Sequence, residues 1–385
     1  MNNPDINFEQ LAVPGVRELK PYEPGKPIGE VQREYGLTEV VKLASNESPL
    51  GPSSKVTAAI QAQLDELAIY PDGNAYDLKQ ALASHWAVST DQITLGNGSD
   101  ELVRILGGVM LDSGRNAVMS RHGFVSYVIA TRAAGAELRV ADANPADAPM
   151  PFGHNLDAML ALIDDATRLV FVANPNNPTG TWLSRDEMVR FLDAVPAEVV
   201  VVLDEAYFEY VEEAGYPNGV RLLEHYPNLV VLHTFSKAYG LAGLRVGCAI
   251  SHPQLADLLN RVRPPFNVNA LAQTAARAAL ADTAHLDKAV QMNRDGRVEL
   301  ERALMEMGLT FLPSAGNFIT VDARRDGREI FELLLREGVI VRPIGGYDLP
   351  NHLRVTVGLP EENRRFIDAL KKVLQHSSPS PSGRG

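Results

Sequence analysis

The sequence predicts an α/β fold built on a largely parallel sheet, on two observations. Short runs that are apolar at nearly every position recur at residues 40–44, 116–119, 169–173, 199–203, 229–232 and 246–250. Strands buried on both faces need that composition, and a parallel sheet covered by helices on each side provides it. Stretches of helical character lie between the runs, such as residues 184–194, which open on Ser184 with an acid at Asp186.

Beyond residue 250 the pattern turns helical, at 255–262 and then in one long stretch from 270 to 307. A second, smaller alternation follows, with strands expected at 317–321 and 353–357 around a helix at 328–337. Partial alternation in those strands suits a sheet with one exposed face. The expected division is therefore an N-terminal arm and part of a small domain at 1–40, a large domain at 41–275, a small domain at 276–376, and a tail at 377–385 whose composition is that of a disordered segment.

A chain of 385 residues with 45% hydrophobic content can bury a large core. No run approaches the length needed to span a bilayer, and the first residues lack the basic and apolar segments of a secretory signal. The single cysteine, Cys248, excludes an internal disulfide framework and a cysteine-cluster metal site, so no metal is expected and the cytoplasm is the expected compartment. A formal net charge of -12 argues against a nucleic-acid partner.

Ligands of open α/β sheets sit beyond the carboxyl ends of the strands, and four polar segments stand at such ends. Lys237 follows the run at 229–232, between Ser236 and Ala238, with Gly240 and Gly243 after it and Arg245 eight positions on (245 minus 237). Hydroxyl donors, close backbone approach and a fixed cation beside an amine suit a phosphorylated aldehyde, although the segment alone also fits an ordinary exposed lysine. Asp204-Glu205-Ala206-Tyr207 follows the run at 199–203. An acid there can pair with a ring nitrogen and the tyrosine can donate to a phenolic oxygen; taken alone, such an Asp is more often a helix N-cap. Residues 174–180 follow the run at 169–173, as a rigid turn or as a source of polar groups. Residues 94–101 read as a short strand, a glycine turn and the start of a helix at 102–111, which is a phosphate cradle in outline. It is neither the Walker pattern nor the dinucleotide fingerprint.

Together and in this order, Asn177-Pro178-Thr179-Gly180, Asp204-Glu205-Ala206-Tyr207 and the segment from Ser236 to Arg245 resemble the fold-type I, class-II pyridoxal-phosphate-dependent aminotransferases. The resemblance runs from about residue 20 to about residue 375. It implies a large domain with a mostly parallel seven-stranded sheet, a smaller C-terminal α/β domain, and pyridoxal 5'-phosphate as cofactor. It further implies that Lys237 forms the internal aldimine and later shuttles the proton, and that Asp204 keeps the pyridine nitrogen protonated. Asn177 and Tyr207 would hydrogen-bond the ring oxygen, while Ser99, the Asp100 N–H, Ser236 and Arg245 would hold the phosphate. Phe124 falls where the family stacks an aromatic ring, although Arg121-His122-Gly123-Phe124 departs from the wording common there, and a core phenylalanine is the alternative. His122 and His233 are expected to pack rather than to exchange protons, and Cys248 to be a small buried side chain.

Within that family, residues 19–22, 42–52, 70–73, 338–343 and 353–358 resemble the histidinol-phosphate aminotransferase subgroup. The implied reaction moves an amino group between L-histidinol phosphate and 2-oxoglutarate, giving imidazole acetol phosphate and L-glutamate, in histidine biosynthesis. A site that takes a phosphomonoester and a dicarboxylate in turn needs bidentate cations, and Arg342 and Arg354 are the candidates. Arg354 is the stronger, because a charge within the apolar run at 353–357 needs a partner. Tyr22 and Asn46 complete the expected substrate contacts. Tyr70 would reach the cofactor phosphate of a neighbouring subunit, which implies a homodimer with shared sites. The rivals are an aromatic-amino-acid aminotransferase, a lyase resembling threonine-phosphate decarboxylase, and a cofactor-binding regulator. The last is disfavoured because only about forty acidic, proline-containing residues precede Val41.

Overall fold

Residues 6–22 and 24–376 are described by the structure, a computed structural model; the tail expected at 377–385 lies outside the described residues. Seven strands form the large sheet: β2 (Ile93–Gly96), β3 (Asn116–Ser120), β4 (Glu137–Ala141), β5 (Thr167–Ala173), β6 (Val200–Asp204), β7 (Leu229–Thr234) and β8 (Gly247–Ser251). Their spatial order is β2-β8-β7-β6-β5-β3-β4, and β8 alone runs against the others. This is the mostly parallel seven-stranded sheet that the resemblance implied.

Continuous apolar runs make this sheet because each strand is covered twice. Val202 and Val230 face a core that holds Leu102 and Leu106 of the helix Ser99–Met110. Their neighbours Val201, Leu203 and Val231 face the opposite core, with Met188, Phe191 and Leu192 of the helix Arg185–Ala194. Ser184 caps that second helix in a reciprocal pair with Glu187, one position past the acid noted in the sequence. Of the strands in this sheet, the one that the sequence reading missed is β4. It lies at the sheet edge with Glu137 and Val140 exposed, so it carries no continuous apolar run.

Three strands form the small antiparallel sheet: β9 (Phe318–Asp322), β11 (Arg342–Pro343) and β12 (His352–Thr356), in the order β11-β12-β9. Leu353 and Val355 share a core with Ile319, Val321, Phe366 and Leu370. The run at 40–44 behaves differently from the other apolar runs. Its strand β1 (Val41–Lys42) pairs in parallel with β10 (Val339–Ile340), and Leu43 enters the small core. The stretch at 270–307 is likewise two helices, Ala270–Leu280 and Thr283–Glu306. Asp282 breaks it with non-helical backbone, φ -110° and ψ 62°, and its carboxylate accepts from Lys55 Nζ at 2.9 Å.

Candidate active site

The carboxyl ends of β5, β6 and β7 open into a cleft, and the small sheet closes its other side. Lys237 stands in the turn after β7. Gly240, at φ +71°, lets that turn pass Gly51, whose carbonyl oxygen would lie 2.4 Å from any added Cβ. Lys237 Nζ donates to the Ser45 carbonyl at 3.1 Å and lies 5.7 Å from the Tyr207 ring centre. Burial, then the guanidinium of Arg354, push its pKa down to about 7, against the pull of Glu47 and Asp204. With its pKa held near neutrality, a substantial fraction of this amine is uncharged, as a nucleophile or proton carrier must be.

At the end of β6, Asp204 Oδ2 accepts from the Tyr127 hydroxyl at 2.7 Å. Burial raises its pKa to about 6, against the Tyr127 hydroxyl and the Ala206 amide. Its Oδ1 is buried without a hydrogen-bond partner among the described residues. A carboxylate with one oxygen tied and the other unpartnered at a cleft wall is suited to receive a protonated ring nitrogen.

Tyr207 accepts from Asn46 Nδ2 at 2.8 Å, and burial lifts its pKa to about 12. Asn46 holds a left-handed backbone, φ 55°, and is tied on both sides. Its amide donates to Thr356 Oγ1 at 2.9 Å, and its carbonyl accepts from Asn317 Nδ2 at 3.0 Å.

The end of the cleft beside the helix Ser99–Met110 is shaped for an anion. Gly98 caps that helix at φ +75° with no side-chain acceptor, so the first amides are free. Arg245 Nη1 donates to Ser236 Oγ at 3.2 Å, beside Ser99 and Asp100. A Cβ at Gly98 would come within 2.5 Å of Arg245 Nη2, and one at Gly247 within 2.6 Å of the Ser99 amide nitrogen. The Asp100 carboxylate points its charge elsewhere, to Ser126 and Arg104.

On the small-domain side, Arg354 is 7% exposed and reaches Asn177 Oδ1 and, at 2.6 Å, the Ala44 carbonyl. Its Nε is buried and has no hydrogen-bond partner among the described residues. Arg342 stands directly opposite Arg354 in the β11–β12 register, 5.4 Å from the Tyr22 ring. Neither of these arginines, nor Arg245, has a carboxylate within ion-pair distance among the described residues. Two guanidiniums in register repel each other unless an anion lies between them.

Twelve of the residues expected from sequence therefore line one cleft: Tyr22, Asn46, Ser99, Asp100, Phe124, Asn177, Asp204, Tyr207, Ser236, Lys237, Arg245 and Arg354. Arg342 adjoins it through Tyr22. Tyr70 does not join it: its ring is 79% exposed and stacks on Phe266 at 4.7 Å. Phe124 touches both the cleft and the core beside it, where its ring lies edge-on to Tyr127 at 6.1 Å. His233 packs on Trp86 at 4.1 Å, and burial pushes its pKa to about 3. Cys248 is fully buried. Sequence reasoning missed Tyr127 and Ser45. Tyr127 carries one signal, its place a helical turn beyond Phe124; Ser45 contributes a backbone carbonyl, which no side chain announces.

The family model for aminotransferase class I and II matches residues 38–370. Histidinol-phosphate aminotransferase 2 of Pseudomonas aeruginosa is 55% identical over 372 residues, covering 96% of this chain and 99% of that one. The protein of the same name from Methylococcus capsulatus is 53% identical over 369 residues, covering 96% and 100%. Among solved structures, histidinol-phosphate aminotransferase from Sinorhizobium meliloti in complex with pyridoxal-5'-phosphate superposes with a TM-score of 0.86 at 30% identity, covering 95% of this chain and 98% of that one.

Proposed function

Because the chain belongs to the class I and II aminotransferases, we propose that it transfers the amino group between L-histidinol phosphate and 2-oxoglutarate, with pyridoxal 5'-phosphate as cofactor. The observation that carries the substrate reading is the pair Arg342 and Arg354, opposed in register without a carboxylate partner among the described residues, with Arg354 lining the same cleft as the Lys237 amine and Arg342 adjoining it through Tyr22. Such a pair suits a phosphomonoester in one half-reaction and a dicarboxylate in the other. Full-length likeness to relatives of that name supports the same reading.

The residues fit the cofactor on the chain's own chemistry: a buried carboxylate oxygen at Asp204 with no partner among the described residues, a glycine-lined helix start, and an amine with a lowered pKa. Ser99, the Asp100 amide, Ser236 and Arg245 would hold the phosphate. Asp204 would keep the ring nitrogen protonated, Asn177 and Tyr207 would hold the ring oxygen, and Phe124 would lie against the ring face. When bound, the cofactor supplies the electron sink for the pair left as the donor Cα loses its proton. Lys237 Nζ would take that proton from Cα and return it to the cofactor C4'. Tyr22 would cover the substrate and exclude water.

A homodimer belongs to the same proposal. Leu67, Ile69, Tyr70, Tyr76 and Phe266 are all exposed apolar or aromatic side chains, which suits cover by a second copy with Tyr70 reaching that copy's phosphate. The proposed place of work is the cytoplasm, where a histidine-biosynthetic step would find its substrates. Rapid-mixing absorbance on the yellow protein without keto acid tests the substrate. Conversion to the pyridoxamine form by histidinol phosphate should far outpace conversion by phenylalanine. A preference for phenylalanine, or carbon dioxide released from threonine phosphate, would overturn the reading.

A further inference from the structure

His122 is 4% exposed and stands outside the proposed chemistry, yet it joins four pieces of the site. Its Nδ1 lies 2.6 Å from the carbonyl oxygen of Tyr347, in the turn that links the arginine-bearing strands β11 and β12. A carbonyl only accepts, so Nδ1 must carry a proton and donate it to Tyr347. The backbone carbonyl of His122 accepts from Asn176 Nδ2 at 3.2 Å, next to the cleft residue Asn177. Its ring meets Phe152 edge-on at 5.6 Å, and Phe152 meets His352 edge-on at 5.7 Å. His352 opens β12, two residues before Arg354, and Phe124 follows two residues after His122. Arg121 and Asp348 meet across the same seam at 3.7 Å. Burial lowers the His122 pKa, against the Tyr347 carbonyl and Asp348, so the neutral tautomer is the one held.

We propose that His122 is a positioning residue that rivets the small-domain arginine strands to the large-domain wall of the cleft. It thereby sets how tightly Arg342 and Arg354 grip the anionic end of a substrate. The inference rests on the aminotransferase reading above but not on histidinol phosphate being the donor. A neutral donor hydrogen bond that crosses two domains at the arginine turn restricts where the guanidiniums can sit, and an anion held at two points feels small displacements of either.

The test compares His122→Leu, which removes the donor, with His122→Asn, whose Nδ2 can replace Nδ1. Both holoenzymes are assayed for KM and kcat with histidinol phosphate and with glutamate, and for cofactor content. The leucine variant should raise KM for both anions about tenfold with kcat and cofactor content little changed, and asparagine should recover most of that loss. If the leucine variant does not fold, His122→Gln, which carries the donor one methylene further out, should show the same KM rise. An unchanged KM overturns the proposal, as does equal impairment by leucine and asparagine, or a loss of cofactor with KM unmoved. A wild-type protein that ignores histidinol phosphate, alongside a leucine variant that loses its grip on glutamate, overturns the substrate reading and leaves this one standing.

Discussion

The two walls of the cleft are held by different means. On the large-domain wall, functional groups sit at strand ends, and short-range backbone geometry fixes them: Asp204 ends β6, and Lys237 lies three residues past β7 in a turn closed by the Gly240 amide to the Lys237 carbonyl at 3.0 Å. On the small-domain wall, Arg354 is fixed by Ala44 and Asn177, which are 310 and 177 positions away in sequence. The first wall is as rigid as the sheet beneath it. The second exists only while two domains and the segment around Asn46 hold together, so it can move when a substrate binds or leaves. Substitutions on the first wall should therefore abolish cofactor chemistry, and those on the second should alter substrate handling.

The largest effect is expected at Lys237. Lys237→Ala should lose the yellow colour fixed to the protein and lower transamination by about four orders of magnitude or more, because no other lysine among the described residues lines the cleft. Absorbance after gel filtration and a single half-reaction check both; normal turnover would remove Lys237 from its role and erase the contrast between the walls.

Asp204→Asn comes next, with a loss of roughly a hundredfold or more in the half-reaction, since an amide cannot stabilise a protonated ring nitrogen. The same change should leave an opposite mark on the cofactor-free protein. Burial raises the Asp204 pKa from 3.8 to about 6, so the folded state prefers the protonated acid. Stability from that preference is fully present below pH 3.8 and is lost as pH rises through about 6. Cofactor-free Asp204→Asn should therefore gain in melting temperature over the wild type above pH 6, and not below pH 4. A gain of equal size at both ends would assign it to packing rather than to the buried charge.

Arg354→Lys probes the second wall. Lysine cannot reproduce a planar two-point contact, so kcat/KM for histidinol phosphate should fall about ten- to a hundredfold while bound cofactor stays near wild type. Equal loss of cofactor would mean that Arg354 is part of the scaffold, and that the two walls are one unit.

This contrast also explains what could be read in the sequence. Strand-end residues are legible because a parallel sheet turns chain order into position: an apolar run followed by Asp204 or Lys237 already says which end of the sheet the side chain occupies. The seam is not. The run at 40–44 has the composition of a large-sheet strand, and only its pairing with β10 shows that it serves the small domain. The break at Asp282 is hidden in a stretch whose flanks are both helical. Tyr127 and His122 act through contacts with Asp204 and Tyr347, 77 and 225 positions away, and no local pattern marks such pairs.

Phe124 gives the smallest effect and the sharpest test of where the first wall ends. It sits just before the helix Val125–Ala133, with one side on the cleft and the other packed against the large core. If its ring serves only the core, Phe124→Leu preserves most of the buried area, and cofactor affinity should not change. If its face lies against the cofactor ring, leucine keeps the packing but loses the aromatic contact, a difference of about 0.5–1.5 kcal/mol, or roughly twofold to just over tenfold in Kd. We expect the second outcome, measured by titrating cofactor-free protein with pyridoxal 5'-phosphate, with thermal stability within about 1 kcal/mol of wild type. The size of the ratio matters more than its sign. A loss far above tenfold would show that the residues from His122 to Phe124 had shifted as a block, making this segment, like Arg354, dependent on the seam rather than on the sheet.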